Sequence, residues 1–380
     1  MRVLHVASFK GNIGDNASHK GFYNVLKKVL PNIVEIEQME IRSYYKNSPP
    51  EERRFFDESF VNHANKFDLL VFGGGGFLDY WVSPSETGTT IDISIEKLSQ
   101  INTPILISSV GCTPNKIIPV ENKIKFERFL NYVLASKNIS LLLRNDGSVQ
   151  HLEREFGKEL ASSVTMILDN GFHYVPEFAF QIPTQRKYVA INVSYDQSNM
   201  RGPEAACIDT NVYYNELAKT VKNIIKSQGL DVCFVPHIHE DYKAIAQITS
   251  LLEDFLVRNH IAIAPYFQGS GAVDFIFSIY QNSELIVGTR YHTNVCGTAM
   301  GIKTIGLPLL NRIKQMYDSI DMPESYIILT EGFSSVLIKK IKVLISENVD
   351  EYRREVLEKL SVQKAISINH YKAALNKIIH

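Results

Sequence analysis

Short apolar runs that alternate with amphipathic helical patterns constrain the fold of this chain more than any other feature. In the first half, the predicted strands are Val3–Ser8, Leu69–Phe72, Ile105–Val110, Leu141–Arg144 and Thr165–Leu168. The helical patterns between them cover Ala17–Leu30, Glu51–Lys66, Val120–Ser136 and Gly147–Phe156. Strands that are buried on both faces read as continuous apolar runs, and helices supply the crossovers that parallel strands need. The pattern therefore predicts an α/β fold with an open parallel sheet.

The same alternation restarts after a segment that contains two prolines. The predicted strands of the second half are Tyr188–Val193, Val232–Val235, Ile261–Ala264, Leu285–Val287 and Thr304–Gly306. Its predicted helices are Asn211–Ser227, Asp241–Arg258 and Val273–Asn282. We place an N-terminal Rossmann-like domain at 1–176, a linker at 177–187, a C-terminal Rossmann-like domain at 188–333, and helices that pack back across the domains at 334–380. Two such domains predict a cleft, with the ligand at the carboxyl ends of the strands.

Composition excludes several classes of function. The 380 residues include 40 basic and 41 acidic side chains, so the basic excess of a nucleic-acid binder is missing. The four cysteines are far apart and form no CxxC pair, which favours a reducing compartment over a disulfide framework. No apolar run approaches the ~18–20 residues that span a bilayer. We expect a cytoplasmic protein. The alternative is a cytoplasmic protein that makes a peripheral contact with the inner face of the membrane. The sequence does not determine the oligomeric state.

The strand end Gly288-Thr289-Arg290-Tyr291-His292 is the strongest candidate for a site. A fixed cation lies two residues from an imidazole, whose charge changes near neutral pH. Such a pair suits the binding of an anion and the movement of a proton. The structural alternative is a buried core histidine beside an arginine that serves only in an ion pair.

Two glycine-containing segments follow strands of the first half. Gly11-Asn12-Ile13-Gly14-Asp15 runs from the first strand into a helix, where free backbone N–H groups favour an anion. Because Asp15 is ionised, it suits contact with a hydroxyl or an amine better than contact with a phosphate. The structural alternative is that Asp15 serves only as an N-cap or first-turn residue of the helix. Phe72-Gly73-Gly74-Gly75-Gly76 predicts a close approach of the backbone to a ligand or a tight crossing, or else a plain turn.

Several other polar residues follow predicted strands. Arg144 terminates one strand at the expected edge of the cleft, and an ion pair with Asp146 is the structural alternative. Asp169 ends the next strand and could equally belong to a turn. In the segment Pro236–Asp241 we favour Asp241 as a helix N-cap and a histidine that lines the cleft. The metal alternative for His-x-His-x-Asp is weaker, since alternate loop residues carry no reliable ligand geometry.

In order and spacing, these motifs resemble the polysaccharide pyruvyl transferase family. The resemblance covers about residues 1–320 and includes the Gly11–Asp15 turn, Gly73–Gly76, Leu143–Asp146, Asp169 and the Arg290-Tyr-His292 strand end. It implies a two-domain fold like that of glycosyltransferase-B enzymes. It also implies transfer of a pyruvyl group from phosphoenolpyruvate to a sugar of a surface polysaccharide or its precursor, with formation of a ketal and release of phosphate. Tyr291 stands where many members have an aliphatic residue.

The resemblance assigns roles to individual residues. Arg144 and Arg290 would hold the carboxylate and phosphate of the donor, and His292 would be the general acid and base. Bidentate arginine contacts suit these planar and multiply charged groups. Gly288 and His237 are expected at the donor site, and the cleft-lining residues that position the acceptor are expected to be Asn12, Gly14, Asp15, Gly74, Gly75 and Gly76.

Neither a cofactor nor a metal is required for this transfer, because phosphoenolpyruvate is the donor substrate. The acceptor is expected to be a sugar, a sugar nucleotide or a lipid-linked saccharide. Two other functions stay open. One is a glycosyltransferase or sugar-nucleotide enzyme on the same fold, since fold alone does not determine the reaction. The other is a non-catalytic member of the family that binds glycans.

Overall fold

The computed structural model describes residues 1–180 and 186–379. Contacts divide the chain into two compact units. The first unit comprises Met1–Lys10, Gly21–Asn170 and Gln363–His380, and the second comprises Gly11–Lys20 and Gly171–Val362. The predicted domain boundaries stay a prediction, and residues 181–185 of the predicted linker lie outside the described residues. The glycine-containing segment after the first strand thus belongs to the second unit.

Each unit contains one parallel sheet. The strands of the first unit are β1 (Arg2–Ala7), β2 (Glu35–Glu40), β3 (Leu69–Gly75), β4 (Ile105–Val110), β5 (Ile139–Arg144) and β6 (Thr165–Ile167). Those of the second unit are β7 (Tyr188–Asn192), β8 (Asp231–Phe234), β9 (Ile261–Ile263), β10 (Leu285–Gly288) and β11 (Thr304–Gly306). The strand orders are β2-β1-β3-β4-β5-β6 and β11-β10-β7-β8-β9.

Helices connect the strands and continue beyond the last one. Those up to the end of β6 are α1 (Ile13–Val29), α2 (Glu58–Ala64), α3 (Ile95–Ser99), α4 (Val120–Ala135), α5 (Ser148–Phe156) and α6 (Lys158–Ser162). Those between β7 and β11 are α7 (Tyr195–Ser198), α8 (Thr210–Gln228), α9 (Asp241–Ser250), α10 (Asp254–His260), α11 (Val273–Gln281) and α12 (Tyr291–Ala299). The last are α13 (Arg312–Ser319), α14 (Phe333–Ser346) and α15 (Val349–Ile379). Over the described residues, no helix combines the length and apolar character that a membrane crossing requires.

The inner strands of each sheet, such as β4, β5, β7 and β10, are buried on both faces, which explains the continuous apolar runs in the sequence. In β1, Leu4 and Val6 belong to one core cluster and Val3 to another, because successive side chains point to opposite faces. In β7, Val189 and Ile191 belong to one cluster, whereas Ala190 belongs to a second cluster together with Ile13 and Ala17 of α1. The first turns of α1 therefore pack within the core of the second unit.

The structure differs from the sequence prediction at several elements. Strand β2 (Glu35–Glu40) was not predicted; it lies at the edge of its sheet and is largely half-exposed, so its sequence has no apolar run. The predicted helix Glu51–Lys66 is wrong before residue 58, because Asp57 caps α2 by accepting the N–H groups of Ser59 and Phe60. The predicted helix Asp241–Arg258 is two helices, α9 and α10.

The final helix contributes a buried tyrosine to the first unit. Tyr371, on α15, is fully buried in a cluster with Phe22, Val25 and Leu106. Its hydroxyl donates to Oδ1 of Asn170 at 2.6 Å and contacts Oγ of Ser108 at 2.5 Å. The hydroxyl thus connects the end of the chain to β4 and to the segment after β6.

We expect Tyr371→Phe to lower the free energy of unfolding by about 1–3 kcal/mol, because the partner groups of Ser108 and Asn170 would stay buried without their hydrogen bonds. Urea denaturation followed by circular dichroism measures this difference. Lys372→Ala, at the exposed neighbouring position of the same helix, is the matched control. Equal stability of Tyr371→Phe and the control would contradict the assigned role of the hydroxyl.

Candidate active site

Polar side chains of the second unit follow three neighbouring strands at their carboxyl ends. Arg290 and His292 follow β10, Asn192 and Asp196 lie at and after the end of β7, and Asp241 follows β8. Strand β7 lies between β10 and β8 in the sheet. The chain runs from β7 to β8 on one side and returns to β10 on the other, so this is the point where the strand order reverses. Open α/β sheets bind ligands at such a point.

The turn between β10 and α12 holds Arg290 through its backbone. The N–H of Arg290 donates to Oδ1 of Asn192 at 2.9 Å. The amide of Asn294 donates to the carbonyl oxygens of Gly288 and Arg290 at 3.0 and 2.9 Å. At Gly288, an added Cβ would lie 2.8 Å from Cγ2 of Thr293, so a larger residue would disturb the start of the helix.

Two carboxylates bind the guanidinium of Arg290. Nε donates to Oδ2 of Asp241 at 2.9 Å, and Nη2 donates to Oδ1 of Asp241 at 2.5 Å and to Oδ1 of Asp196 at 2.6 Å. Burial alone would lower the pKa of Arg290, but the two carboxylates outweigh it and raise the pKa above its ordinary value. The expected cation is present at the strand end, but its positive charge faces two negative ones.

Asp241 also organises the loop that precedes it. Its Oδ2 accepts the backbone N–H groups of His237 and Ile238 at 2.8 and 3.1 Å, and the residue is fully buried. The expected N-cap role is not observed, because Asp241 is the first residue of α9 and Glu240 precedes the helix as its cap. Its carboxylate instead joins the loop after β8 to Arg290.

His292 contacts a carboxylate from the start of α1. Its Nδ1 lies 3.2 Å from Oδ1 of Asp15, and the two side chains are 6% and 16% exposed. The same Oδ1 accepts from Nδ2 of Asn12 at 3.1 Å, while Oδ1 of Asn12 accepts the N–H of Gly14 at 2.9 Å. The turn that was expected to position an acceptor therefore lies against the candidate acid–base residue.

The start of α1 is anchored to the second unit by its backbone. Ile13 donates its N–H to the carbonyl oxygen of His237 at 3.3 Å, and Gly11 donates to Oε1 of Gln268 at 2.7 Å. At Gly14, an added Cβ would lie 2.8 Å from Cβ of His292 and 3.1 Å from Nδ1 of His237. Glycine is thus the residue that allows α1 to approach both histidines.

His237 is fully buried behind this turn. Its Nε2 contacts the hydroxyls of Tyr280 at 2.8 Å and Thr293 at 3.2 Å. Its Nδ1 is buried and has no hydrogen-bond partner among the described residues. Burial, followed by the charges of Arg290 and His292, lowers the pKa of His237 well below 6.5. The imidazole of His237 is therefore neutral at pH 7.

The remaining predicted site residues lie in the first unit. Arg144 is 2% exposed; its Nε donates to Oδ2 of Asp146 at 2.6 Å, and its Nη1 lies 3.6 Å from Oδ2 of Asp169. The alternative ion pair with Asp146 is thus observed, and the donor-binding role of Arg144 stays a prediction. The glycine segment is not a plain turn, since β3 continues through Gly75. Gly74 has a φ of 79° within it, a conformation that favours glycine.

Sequence reasoning missed two residues of the site, Asn192 and Asp196. Both follow the first strand of the second unit, where the rule that ligands bind at carboxyl strand ends would have pointed to them. His239 is exposed, unlike His237 and Asp241. The described residues contain no group of three histidine, cysteine or acidic side chains that could hold a metal ion.

A sequence model of the polysaccharide pyruvyl transferase family matches residues 12–310. The chain belongs to this family. The protein is therefore a transferase enzyme, and the matched span includes the Asp15, Asp241, Arg290 and His292 cluster. A search of curated proteins finds no significant match.

Solved structures show what the fold is similar to. A putative UDP-N-acetylglucosamine 2-epimerase from Listeria monocytogenes matches with a TM-score of 0.58 at 11% identity, over 99% of this chain and 95% of that chain. A glycosyltransferase from Rickettsia africae matches with a TM-score of 0.56 at 13% identity, over 98% of both chains. An Anabaena protein in complex with UDP and glucose matches with a TM-score of 0.53 at 10% identity, over 98% of both chains. These matches confirm the predicted α/β, glycosyltransferase-B-like fold with C-terminal helices, and at these identities they show the fold alone.

We expect the low pKa of His237 to make stability depend on pH. The unfolded chain takes up a proton on this imidazole near pH 6.5, whereas the folded protein does not. This group leaves the free energy of unfolding unchanged above pH 6.5. Below pH 6.5 it lowers the free energy of unfolding by up to ~1.4 kcal/mol per pH unit. Urea denaturation at pH 7.0 and 5.5 measures the loss, which His237→Gln should reduce.

The control is His239→Gln, two residues along the same loop at an exposed position. It should keep the full pH dependence of the wild type. NMR of the imidazole nitrogens also measures the protonation state of His237 in the folded protein directly. A His237 ring that titrates near pH 6.5 in the folded protein would contradict the assignment.

Proposed function

We propose that the protein transfers a pyruvyl group from phosphoenolpyruvate to a sugar of a surface polysaccharide or its precursor, forms a ketal and releases phosphate. The observation that carries the proposal is the pair of Arg290 and His292 at the start of α12, with Asp15 on Nδ1 of the histidine. Membership of the pyruvyl transferase family supports the same reaction. The acceptor is a sugar, free or carried on a nucleotide or lipid.

The proton balance of this reaction requires a general acid and base, and we assign this role to His292. Two sugar hydroxyls each lose a proton as they attack the same carbon of the donor. One proton is gained by the methylene carbon, which becomes a methyl group, and the other leaves with the phosphate. A residue that both takes and gives protons is therefore required, and an imidazole does this near neutral pH.

The contact with Asp15 favours one tautomer of His292. A carboxylate at Nδ1 favours a hydrogen on that nitrogen, so that Nε2 takes and delivers the reacting proton. The negative charge of Asp15 also stabilises the imidazolium that forms in between. Nδ2 of Asn12 donates to the same Oδ1 of Asp15 at 3.1 Å and so helps to fix the position of the carboxylate.

Arg290 supplies the contact to the donor. Asp241 accepts hydrogen bonds from Nε and Nη2 of Arg290, while Nη1 makes no hydrogen bond to any described residue. The N–H groups of Nη1 suit a carboxylate or phosphate oxygen of phosphoenolpyruvate. The donor role of Arg144 stays a prediction, and its guanidinium is already bound by Asp146 and Asp169.

Incubation with phosphoenolpyruvate and a panel of sugar acceptors tests the proposal. Release of inorganic phosphate together with an acceptor mass increased by one pyruvyl ketal is the expected result. The absence of both, together with no calorimetric binding of phosphoenolpyruvate, would contradict it. Thermal stabilisation by a UDP-sugar but not by phosphoenolpyruvate would instead favour a sugar-nucleotide enzyme.

We expect Asp15→Asn to lower kcat by roughly tenfold or more, but by no more than the ~10²–10⁴ that acid–base catalysis as a whole contributes. The amide keeps the size of the side chain but loses the charge that stabilises the imidazolium of His292. The acid limb of the pH–rate profile should move to lower pH, because the imidazolium of His292 loses the opposite charge that stabilises it.

A merely structural role for Asp15 would lower thermal stability without moving the pH profile. Asp318→Asn, another aspartate of the second unit, controls for the loss of one negative charge. An unchanged kcat and an unchanged pH profile in Asp15→Asn would show that Asp15 does not position His292.

A further inference from the structure

Arg290 binds two carboxylates that differ in how firmly they are held. Asp241 is fully buried, contacts both Nε and Nη2 of Arg290, and also accepts two backbone N–H groups of its own loop. Removal of Asp241 from the guanidinium would disrupt the loop after β8. Asp241 is therefore a fixed partner that sets the orientation of Arg290.

Asp196 is held far less firmly. Its side chain is 29% exposed, and its Oδ1 contacts Nη2 of Arg290 at 2.6 Å. It belongs to α7, a helix of only four residues that follows β7. A half-exposed carboxylate on a short segment can exchange Arg290 for water at little cost, whereas the buried Asp241 cannot.

The two carboxylates bind different sides of the planar guanidinium. Asp241 takes the side formed by Nε and Nη2, and the end formed by Nη1 and Nη2 remains. Asp196 contacts Nη2 at this end, and Nη1 makes no hydrogen bond to any residue that the structure describes. A carboxylate or phosphate that binds the end in a bidentate manner needs both nitrogens. It therefore needs the position that Asp196 holds.

We propose that Asp196 is a specificity-determining residue that competes with the anionic donor for the end of the Arg290 guanidinium, so that the donor must displace it to bind. This inference rests on the proposed function, in which Arg290 binds phosphoenolpyruvate. The competition favours a ligand with several negative charges and two oxygens aligned with Nη1 and Nη2. Pyruvate can align two carboxylate oxygens with the same nitrogens, but with a single negative charge it gains less from the exchange with Asp196 than phosphoenolpyruvate does.

Removal of the charge at position 196 tests this competition. We expect Asp196→Asn to lower the dissociation constant for phosphoenolpyruvate by about 10- to 100-fold, since a charge-assisted hydrogen bond no longer opposes binding. The KM for the donor should fall, and discrimination against pyruvate should weaken. A residue with only a structural role would weaken donor binding when replaced, so the direction of the change is diagnostic.

The matched control is Asp254→Asn, which removes one negative charge from an exposed pair with Arg258 in the same unit. Its donor affinity should equal that of the wild type. Isothermal titration calorimetry of the three proteins with phosphoenolpyruvate, pyruvate and inorganic phosphate gives the comparison, and thermal melting shows whether each variant is folded. Asp196→Ala provides a second variant without the carboxylate.

Each outcome decides a different point. Equal affinity of wild type and both Asp196 variants for phosphoenolpyruvate would overturn the competition and leave the proposed function intact. Binding of inorganic phosphate that tightens in the Asp196 variants, without any binding of phosphoenolpyruvate, would support the competition and contradict the proposed donor. Failure of all three anions to bind any of the proteins would contradict both.

Discussion

The buried ion pair between Asp241 and Arg290 organises the carboxyl edge of the second sheet. Burying two charges costs several kcal/mol each unless hydrogen bonds compensate. Here the Asp241 carboxylate accepts from two backbone N–H groups as well as from Arg290, and the backbone N–H of Arg290 is held by Asn192. The pair thus fixes the loops after β7, β8 and β10 relative to one another, and with them the start of α12 that carries His292.

A second constraint comes from the other end of the sequence. The first turns of α1 pack in the core of the second unit, with Ile13 and Ala17 among its buried residues. Gly14 allows this close approach, and Asp15 reaches Nδ1 of His292. The proton-transfer group is therefore assembled from residues 277 positions apart in the chain (292 − 15), both in the second unit.

Much of the fold could be predicted from the sequence, because strands buried on both faces leave continuous apolar runs. The edge strand β2 could not, since its sequence contains three glutamates and a glutamine among six residues and so has no apolar run. Arg290 and His292 were recognisable from their place after a buried strand. Their partners were not, because Asp15, Asp196 and Asp241 come from three separate segments and only the folded chain brings each to its partner. For the same reason, the sequence did not show that two carboxylates pair with the positive charge of Arg290.

A crystal structure of the protein with phosphoenolpyruvate tests most directly whether Asp241 holds Arg290 for a ligand at its Nη1–Nη2 end. We expect donor oxygens within hydrogen-bond distance of both nitrogens, Asp241 unmoved, and the Asp196 carboxylate displaced from Nη2. A donor bound elsewhere, with Asp196 still on Arg290, would contradict it.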